Sequence, residues 1–182
     1  MTENEFKVML TAEQYESLLE LYDFETFTQV NHYFDTKELA MSERHITVRV
    51  RELDGKFFLQ MKLPTSVSFS RVELSRELPE LPDTISGAEL TELSGVECPD
   101  VKRLGKLKTT RGVWQFDGGE IDLDCSEYFG KTDFELEIEF TDEQAARTVL
   151  NEISSRLGLA PNSGVCTGKV RRFLEEYKKS LG

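Results

Sequence analysis

The sequence predicts an α+β protein built on an antiparallel sheet of about eight strands, with helices packed outside it. Eight short segments are rich in aliphatic and aromatic residues, and in seven of them apolar side chains alternate with charged ones. This period of two is typical of strands whose two faces differ. The turn sequences Asp54-Gly55 and Asp117-Gly118-Gly119 join neighbouring segments and are typical of β-hairpins. Because a hairpin joins antiparallel strands, we expect an antiparallel sheet.

The predicted strands begin almost at the first residue. In residues 2–10, the charged Glu3, Glu5 and Lys7 alternate with apolar side chains, so that one face of the strand carries charges of both signs. The other seven strands are predicted at residues 26–36, 46–52, 56–63, 71–78, 109–116, 120–125 and 134–140.

Helices are predicted around and between the strands. Residues 11–22 have Thr11 as N-cap and Gln14 at the capping-box position. Residues 142–157 form an amphipathic pattern that Gly158 ends, and residues 169–180 form a heavily charged one. Residues 79–105 hold three of the five prolines, and we expect short helices there at residues 86–93 and 99–104.

Length and charge limit the possible functions. The 182 residues suffice for one domain with a proper core, and we find no linker, so a single domain over residues 1–182 is expected. With 34 acidic and 22 basic residues the net charge is −12, which repels nucleic acid and anionic lipid. No stretch approaches the ~18 apolar residues of a membrane helix. We therefore expect a cytoplasmic protein that binds neither nucleic acid nor membranes.

The charges on the polar faces of the strands are segregated along the chain. Carboxylates dominate the first, seventh and eighth predicted strands, as in Glu135-x-Glu137-x-Glu139, and cations dominate the third, fourth and sixth. The ordinary interpretation is an antiparallel sheet whose polar face meets solvent. However, two like charges ~4 Å apart cost on the order of 4 kcal/mol at an effective dielectric near 20. The segregation therefore favours a closed barrel, a tunnel with a charged interior in which carboxylates hold divalent cations and Lys and Arg hold a multiply charged anion.

This ordered series of charged motifs resembles the CYTH superfamily, also called triphosphate tunnel metalloenzymes. It consists of Glu3-Asn4-Glu5-Phe6-Lys7, which fits the ExExK signature, Tyr33-Phe34-Asp35-Thr36, Arg49-x-Arg51, Lys62 before Pro64, Arg71-x-Glu73, Arg111, Leu123-Asp124, Glu135-x-Glu137-x-Glu139 and Lys169. The stretches LGKLKTTR and YFGKTDFELEIEF resemble the YjbK-like bacterial subgroup. The resemblance implies an eight-stranded antiparallel tunnel, a requirement for divalent metal and a substrate that bears a triphosphate.

The resemblance also implies roles for single residues. Metal ligands are expected at Glu3, Glu5 and one or two of Glu135, Glu137 and Glu139. Triphosphate is expected to bind Lys7, Arg49, Arg51, Lys62, Arg71, Arg111 and Lys169. A second metal ion, held partly by Glu135 or Asp122, is hypothesised to orient the attacking water. A direct part in the reaction is expected of Glu5, Lys7, Arg51 and Glu137. Ligand sets made only of oxygen favour Mg²⁺ or Mn²⁺.

Three functions stay open at this point. The leading one is metal-dependent hydrolysis of inorganic tripolyphosphate, ATP or thiamine triphosphate, because simple hydrolysis needs fewer specialised parts than cyclisation. Phosphoryl transfer needs mostly positioning and charge stabilisation, so no covalent nucleophile is required. A class IV-type adenylate cyclase would hold ATP in the same tunnel and produce cyclic AMP. A non-catalytic module that binds polyphosphate or nucleotides would need the cations but not the clustered glutamates. The resemblance also allows a homodimer.

Overall fold

The computed structural model describes residues 4–65, 71–159 and 167–182. Within these ranges the strands are β1 (Glu5–Leu10), β2 (Glu25–Asp35), β3 (Thr47–Leu53), β4 (Lys56–Pro64), β5 (Arg71–Leu78), β6 (Thr84–Ile85), β7 (Val101–Phe116), β8 (Gly119–Tyr128) and β9 (Lys131–Phe140). The helices are α1 (Ala12–Leu21), α2 (Ala40–Glu43), α3 (Gly87–Ser94), α4 (Glu143–Leu157) and α5 (Lys169–Ser180).

The strands form one sheet, and the predicted α+β class is confirmed. Strand order is β1-β9-β8-β7-β2-β3-β4-β5, with the short β6 paired to β7. The pairings with a defined register, such as β1 with β9 and β3 with β4, are antiparallel, as predicted. In the described ranges no pairing joins β1 to β5 at the two ends of this order. Closure of the sheet into a barrel is therefore not observed within the described residues.

Four of the five predicted helices are present, and one is wrong. The patterns at residues 11–22, 86–93, 142–157 and 169–180 correspond to α1, α3, α4 and α5. Residues 101–104, predicted to be helical, belong instead to the long strand β7. The reason is tertiary, since β6 pairs with Val101 and Lys102 and so holds that segment extended. No helix in the described ranges combines the length and the apolar character needed to cross a membrane.

Residue contacts divide the described chain into two compact units. Unit 1 contains residues 29–65, 71–108 and 173–182, and unit 2 contains residues 4–28, 109–159 and 167–172. The elements β2, β7 and α5 contribute residues to both. The single domain expected over residues 1–182 stays a prediction.

Each unit has an apolar core between the strands and the helices. In unit 1, Val50 of β3 and Met61 of β4 are fully buried and belong to a cluster with Leu90 of α3. In unit 2, Ile138 of β9 is fully buried in a cluster with Ile153 of α4. Because side chains alternate along a strand, the charged residues between these apolar ones lie on the opposite face of the sheet.

Asp35, the last residue of β2, caps the short helix that follows. The N-cap residue of α2, Leu39, has no side chain that can accept a hydrogen bond from the first helical turn. The buried Asp35 carboxylate acts as the acceptor instead, because it accepts hydrogen bonds from the backbone N–H groups of Met41 and Ser42 at 2.9 and 3.0 Å. It also accepts one from the backbone N–H of Thr36 at 2.7 Å. Asp35 therefore satisfies backbone donors that the fold would otherwise leave unpaired.

Asp35→Ala is expected to lower the free energy of unfolding by about 3 kcal/mol, because buried donors lose their acceptor. Urea denaturation monitored by circular dichroism measures the loss. Asp23→Ala, at an exposed position, serves as the matched control and should change the stability by less than about 0.5 kcal/mol. Equal stability of the two variants would contradict this role of Asp35.

Candidate functional site

The polar face of unit 2 is formed by β1, β9 and β8, whose charged residues stand opposite one another. Since the strands have a common register, residues at alternate positions form rows across the three strands. The rows are Glu5, Glu139 and Glu120; Lys7, Glu137 and Asp122; and Met9, Glu135 and Asp124. Carboxylates directly opposite one another repel, so this face needs counter-charges.

Several of these carboxylates are buried. Asp122 and Asp124 are 0% exposed, Glu135 is 1% exposed and Glu137 is 4% exposed. The interpretation in which the polar face meets solvent is therefore wrong for these residues. An ionised carboxylate removed from water is stable only when it is paired with a cation or with hydrogen-bond donors.

Glu137 accepts hydrogen bonds from three cations. Its Oε1 accepts from Lys7 Nζ at 2.9 Å and from Lys169 Nζ at 2.6 Å, and its Oε2 accepts from Arg111 Nη2 at 2.9 Å. Burial by itself raises the pKa of Glu137, but the three cations, Lys169 foremost, bring that pKa well below its ordinary value. Glu137 is therefore ionised at neutral pH.

Arg111 comes from the neighbouring strand β7 and holds the two aspartates of β8. Its Nε and Nη2 donate to the two oxygens of Asp124 at 2.8 and 2.7 Å, the bidentate geometry that suits a guanidinium and a carboxylate. Its Nη1 donates to Asp122 Oδ2. With its bond to Glu137, one side chain of β7 thus contacts three buried carboxylates.

Lys169, the first residue of α5, reaches the same face. Its Nζ lies 2.6 Å from Glu137 Oε1, 2.8 Å from Asp124 Oδ2 and 3.2 Å from Glu135 Oε2. Burial lowers the pKa of Lys169, but the surrounding carboxylates, Glu137 foremost, raise it above its ordinary value. Lys169 is therefore a permanent cation at this site.

Asp122 retains an oxygen for which the described residues provide no hydrogen-bond partner. Asp122 Oδ1 is buried, whereas Oδ2 accepts from Arg111. Burial, only partly offset by Arg111, raises the pKa of Asp122 to about 7. A buried carboxylate oxygen without a donor suits a cation as its partner.

Two groups of carboxylates on this face fit a divalent cation. Ligand oxygens of Glu5, Glu137 and Glu139 lie within 4.8 Å of one another, and so do those of Glu120, Asp122 and Glu139. Glu139 belongs to both groups. Oxygen-only donors suit Mg²⁺ and Mn²⁺, and Asp122 Oδ1 brings an unused acceptor to the second group.

In unit 1, the polar face of β3, β4 and β5 carries the predicted cations. Arg49 Nη2 and Lys62 Nζ lie 3.2 and 3.3 Å from the two oxygens of Glu73 on β5. Arg51 Nε donates to Asn31 Oδ1 of β2 at 3.2 Å. These polar partners hold the three cations in defined positions on one face of the strands.

Most of the predicted site residues lie in the described ranges, in two sets that belong to the two units. Unit 2 holds Glu5, Lys7, Arg111, Asp122, Glu135, Glu137, Glu139 and Lys169, and unit 1 holds Arg49, Arg51 and Lys62. Glu3 and the side chain of Arg71 lie outside what the structure describes. The roles assigned to all of these residues stay predictions.

The sequence analysis included Asp124 among the charged motifs without giving it a ligand role, and it did not single out Arg172. Asp124 shares the alternation that places Asp122 on the polar face, but the alternation alone does not show which cation it pairs with. Arg172 follows Lys169 by three residues, which puts the two side chains on one face of a helix. Its carboxylate partners, Asp133 and Glu135, are visible only in the structure.

A family model and a similar protein both relate this chain to one family. Residues 1–168 match the family model described as CYTH domain. The chain is 30% identical over 190 residues to YjbK of Bacillus subtilis (strain 168), whose name gives it provisionally as a triphosphatase. That match covers 98% of this chain and 97% of YjbK.

Solved structures share the fold. A protein of Bacillus halodurans, bh2851, named provisionally as an adenylate cyclase, matches with a TM-score of 0.74 and 24% identity over 94% of this chain and 96% of its own. HpAC1 from Hippeastrum matches with a TM-score of 0.71 and 20% identity over 96% of both chains. It is named provisionally as an adenylyl cyclase and is described as having a dominant triphosphatase activity. With its family model matched over residues 1–168 and its charged motifs in the expected order, the chain belongs to the CYTH domain family.

Proposed function

We propose that this chain is a divalent-metal-dependent triphosphatase that hydrolyses inorganic tripolyphosphate or a small organic triphosphate such as ATP or thiamine triphosphate. The observation that carries the proposal is the cluster around Glu137, in which Lys7, Arg111 and Lys169 meet buried carboxylates. A triphosphate is a polyanion that proteins usually bind together with a divalent cation. The cluster offers partners for both.

The carboxylates Glu5, Glu137 and Glu139 are the proposed ligands of one cation, and Asp122 joins Glu139 and Glu120 as a further group. Mg²⁺ or Mn²⁺ is the proposed ion because the available ligands are all oxygens. When bound, such an ion neutralises phosphate oxygens and polarises the phosphoryl group that water attacks.

The cations of the chain have a complementary task. We propose that Lys7, Arg111 and Lys169 bind phosphate oxygens and stabilise the charge that develops on the transferred phosphoryl group. Arg49, Arg51 and Lys62 of unit 1 are further proposed phosphate ligands. Their positions are fixed by neighbouring carboxylates and amides, so little conformational entropy is lost on binding. No covalent nucleophile is required.

The comparisons support hydrolysis over cyclisation. YjbK, at 30% identity, carries the name of a triphosphatase. The provisional cyclase names belong to structures at 24% and 20% identity, a level that supports the fold alone. Production of cyclic AMP is therefore treated as one outcome of the assay below.

Glu137→Gln is expected to lower the rate of phosphate release from tripolyphosphate about 100-fold or more, because the site loses a charge on which both cation and lysines depend. Phosphate and cyclic AMP are assayed with tripolyphosphate, ATP and thiamine triphosphate, each with Mg²⁺, with Mn²⁺ and with a chelator. Glu152→Gln, at an exposed position of α4, is the control and should keep full activity.

The assay separates the candidate functions. Phosphate release that the chelator abolishes supports a metal-dependent triphosphatase, and cyclic AMP as the main product of ATP supports a cyclase. Tripolyphosphate binding without turnover indicates a non-catalytic module. Full activity of the Glu137→Gln variant would reject the assigned site.

Arg49→Met is expected to raise the KM for tripolyphosphate about tenfold, the effect of losing one charge-assisted hydrogen bond. The matched control is Arg76→Met. Arg76 lies on the face of β5 opposite to Glu73, pairs with Glu92 of α3, and has a side chain that is 37% exposed. Steady-state kinetics should show an unchanged KM for the control. An equal KM for the two variants would remove Arg49 from the substrate ligands.

A further inference from the structure

Arg172 lies one helical turn after Lys169 at the start of α5 and is fixed at several points. Its Nε donates to Asp133 Oδ2 at 2.8 Å and its Nη2 to Glu135 Oε2 at 2.7 Å. Its Nη1 donates to the backbone carbonyl of Thr167, just before the helix. The side chain is only 12% exposed. The guanidinium therefore ties the first turn of α5 to strand β9.

The attachment point on β9 is itself held in place. The hydroxyl of Tyr128, the last residue of β8, donates a hydrogen bond to Asp133 Oδ2. Tyr128 is buried at 5% exposure, and its pKa is raised, mainly by burial and then by this bond. Asp133 is thus fixed by a contact within the β8–β9 hairpin that does not involve Arg172.

The spacing of α5 matches that of β9. Asp133, Glu135 and Glu137 occupy alternate positions on one face of the strand, about 7 Å apart. Residues three apart on a helix are about 5–6 Å from each other. Arg172 accordingly contacts Asp133 and Glu135, whereas Lys169 contacts Glu135 and Glu137.

The two cations differ in what they can fix. The planar guanidinium of Arg172 binds two carboxylates and a carbonyl at once, so its geometry defines the position of the helical turn. Lys169 has a flexible stem and a compact charge, and it has many rotamers when the turn is free. The position of its Nζ at Glu137 thus depends on the turn that Arg172 holds.

We propose that Arg172 is a positioning residue that acts through Lys169: by fixing the first turn of α5 on Asp133 and Glu135, it holds the Lys169 ammonium at Glu137 and so sets the affinity for a triphosphate. This inference rests on the proposed function, in which Lys169 binds phosphate. It goes further by naming a residue that shapes the site through a neighbouring side chain.

The first test needs no substrate. The full-length protein is treated with a limiting amount of an amine-acetylating reagent, and modification of each lysine is measured by peptide mass spectrometry. Lys169 should be protected in the wild type and in the control Arg171→Met, which removes an exposed arginine from the same turn. In Arg172→Met, acetylation of Lys169 should rise about fivefold as the turn loosens, while that of Lys7 stays constant.

Asp133→Ala provides a second variant should Arg172→Met fold poorly. It removes the carboxylate of β9 to which Arg172 Nε donates, and it should raise the acetylation of Lys169 in the same way. Unchanged protection of Lys169 in the folded variants would overturn the proposal. A parallel rise at Lys7 and Lys169 would overturn it too, because it would show general loosening of the fold.

The second test is a double-mutant cycle on the binding of a slowly hydrolysed triphosphate analogue, measured by calorimetry with Mg²⁺. Arg172→Met should weaken binding about tenfold, and Lys169→Met at least as much. If Arg172 acts through Lys169, the double variant binds no more weakly than Lys169→Met, and Arg171→Met binds like the wild type. Additive losses would overturn the proposal. If the wild type neither binds the analogue nor releases phosphate from tripolyphosphate, the proposed function is rejected, and acetylation of Lys169 still decides the role of Arg172.

Discussion

The site depends on the neutralisation of buried carboxylates, with Glu137 at the centre. Taking an ionised carboxylate out of water costs several kcal/mol after relaxation, and removing one partner of a buried pair costs about 3–5 kcal/mol. Glu137 accepts hydrogen bonds from Lys7, Lys169 and Arg111, which come from β1, α5 and β7. The sheet can therefore bury a row of carboxylates only because separate elements of the fold bring cations to it.

The same charges that stabilise the fold are those that a ligand would use. In the proposed function a phosphate group would compete with the carboxylates for Lys7, Arg111 and Lys169, and a divalent cation would compete with these side chains for Glu137. An anion alone would leave buried carboxylates without cations, and a metal ion alone would leave cations crowded together. Charge balance thus favours simultaneous binding of metal and polyphosphate, a positive coupling between two ligands.

The charged face could be predicted because it rests on the simplest rule of a strand, the alternation of side chains. The phase of Phe6, Val8 and Leu10 assigned Glu5 and Lys7 to one face, and the pairing of β1 with β9 places Lys7 opposite Glu137. The burial of the carboxylates was expected because carboxylates on neighbouring strands repel one another. A sheet that faces solvent gains nothing from such a cluster. Local pattern and long-range electrostatics agreed here.

Other features depend on partners that are distant in the sequence. Residues 101–104 form part of a strand because Thr84 and Ile85 pair with Lys102 and Val101 at its start, which overrides a helical pattern. Arg172 joins the charged cluster because the start of α5 lies along β9. Such contacts are set by tertiary packing and leave no local signal beyond the spacing of Arg172 from Lys169.

The most direct test is diffraction from crystals grown with Mn²⁺ and a slowly hydrolysed triphosphate analogue, measured at the manganese absorption edge. An anomalous peak within about 2.5 Å of carboxylate oxygens of Glu137 and Glu139, with phosphate density beside Lys169, is the predicted result. Manganese or phosphate found only at exposed side chains, with Lys7 and Lys169 still bound to Glu137, would contradict it.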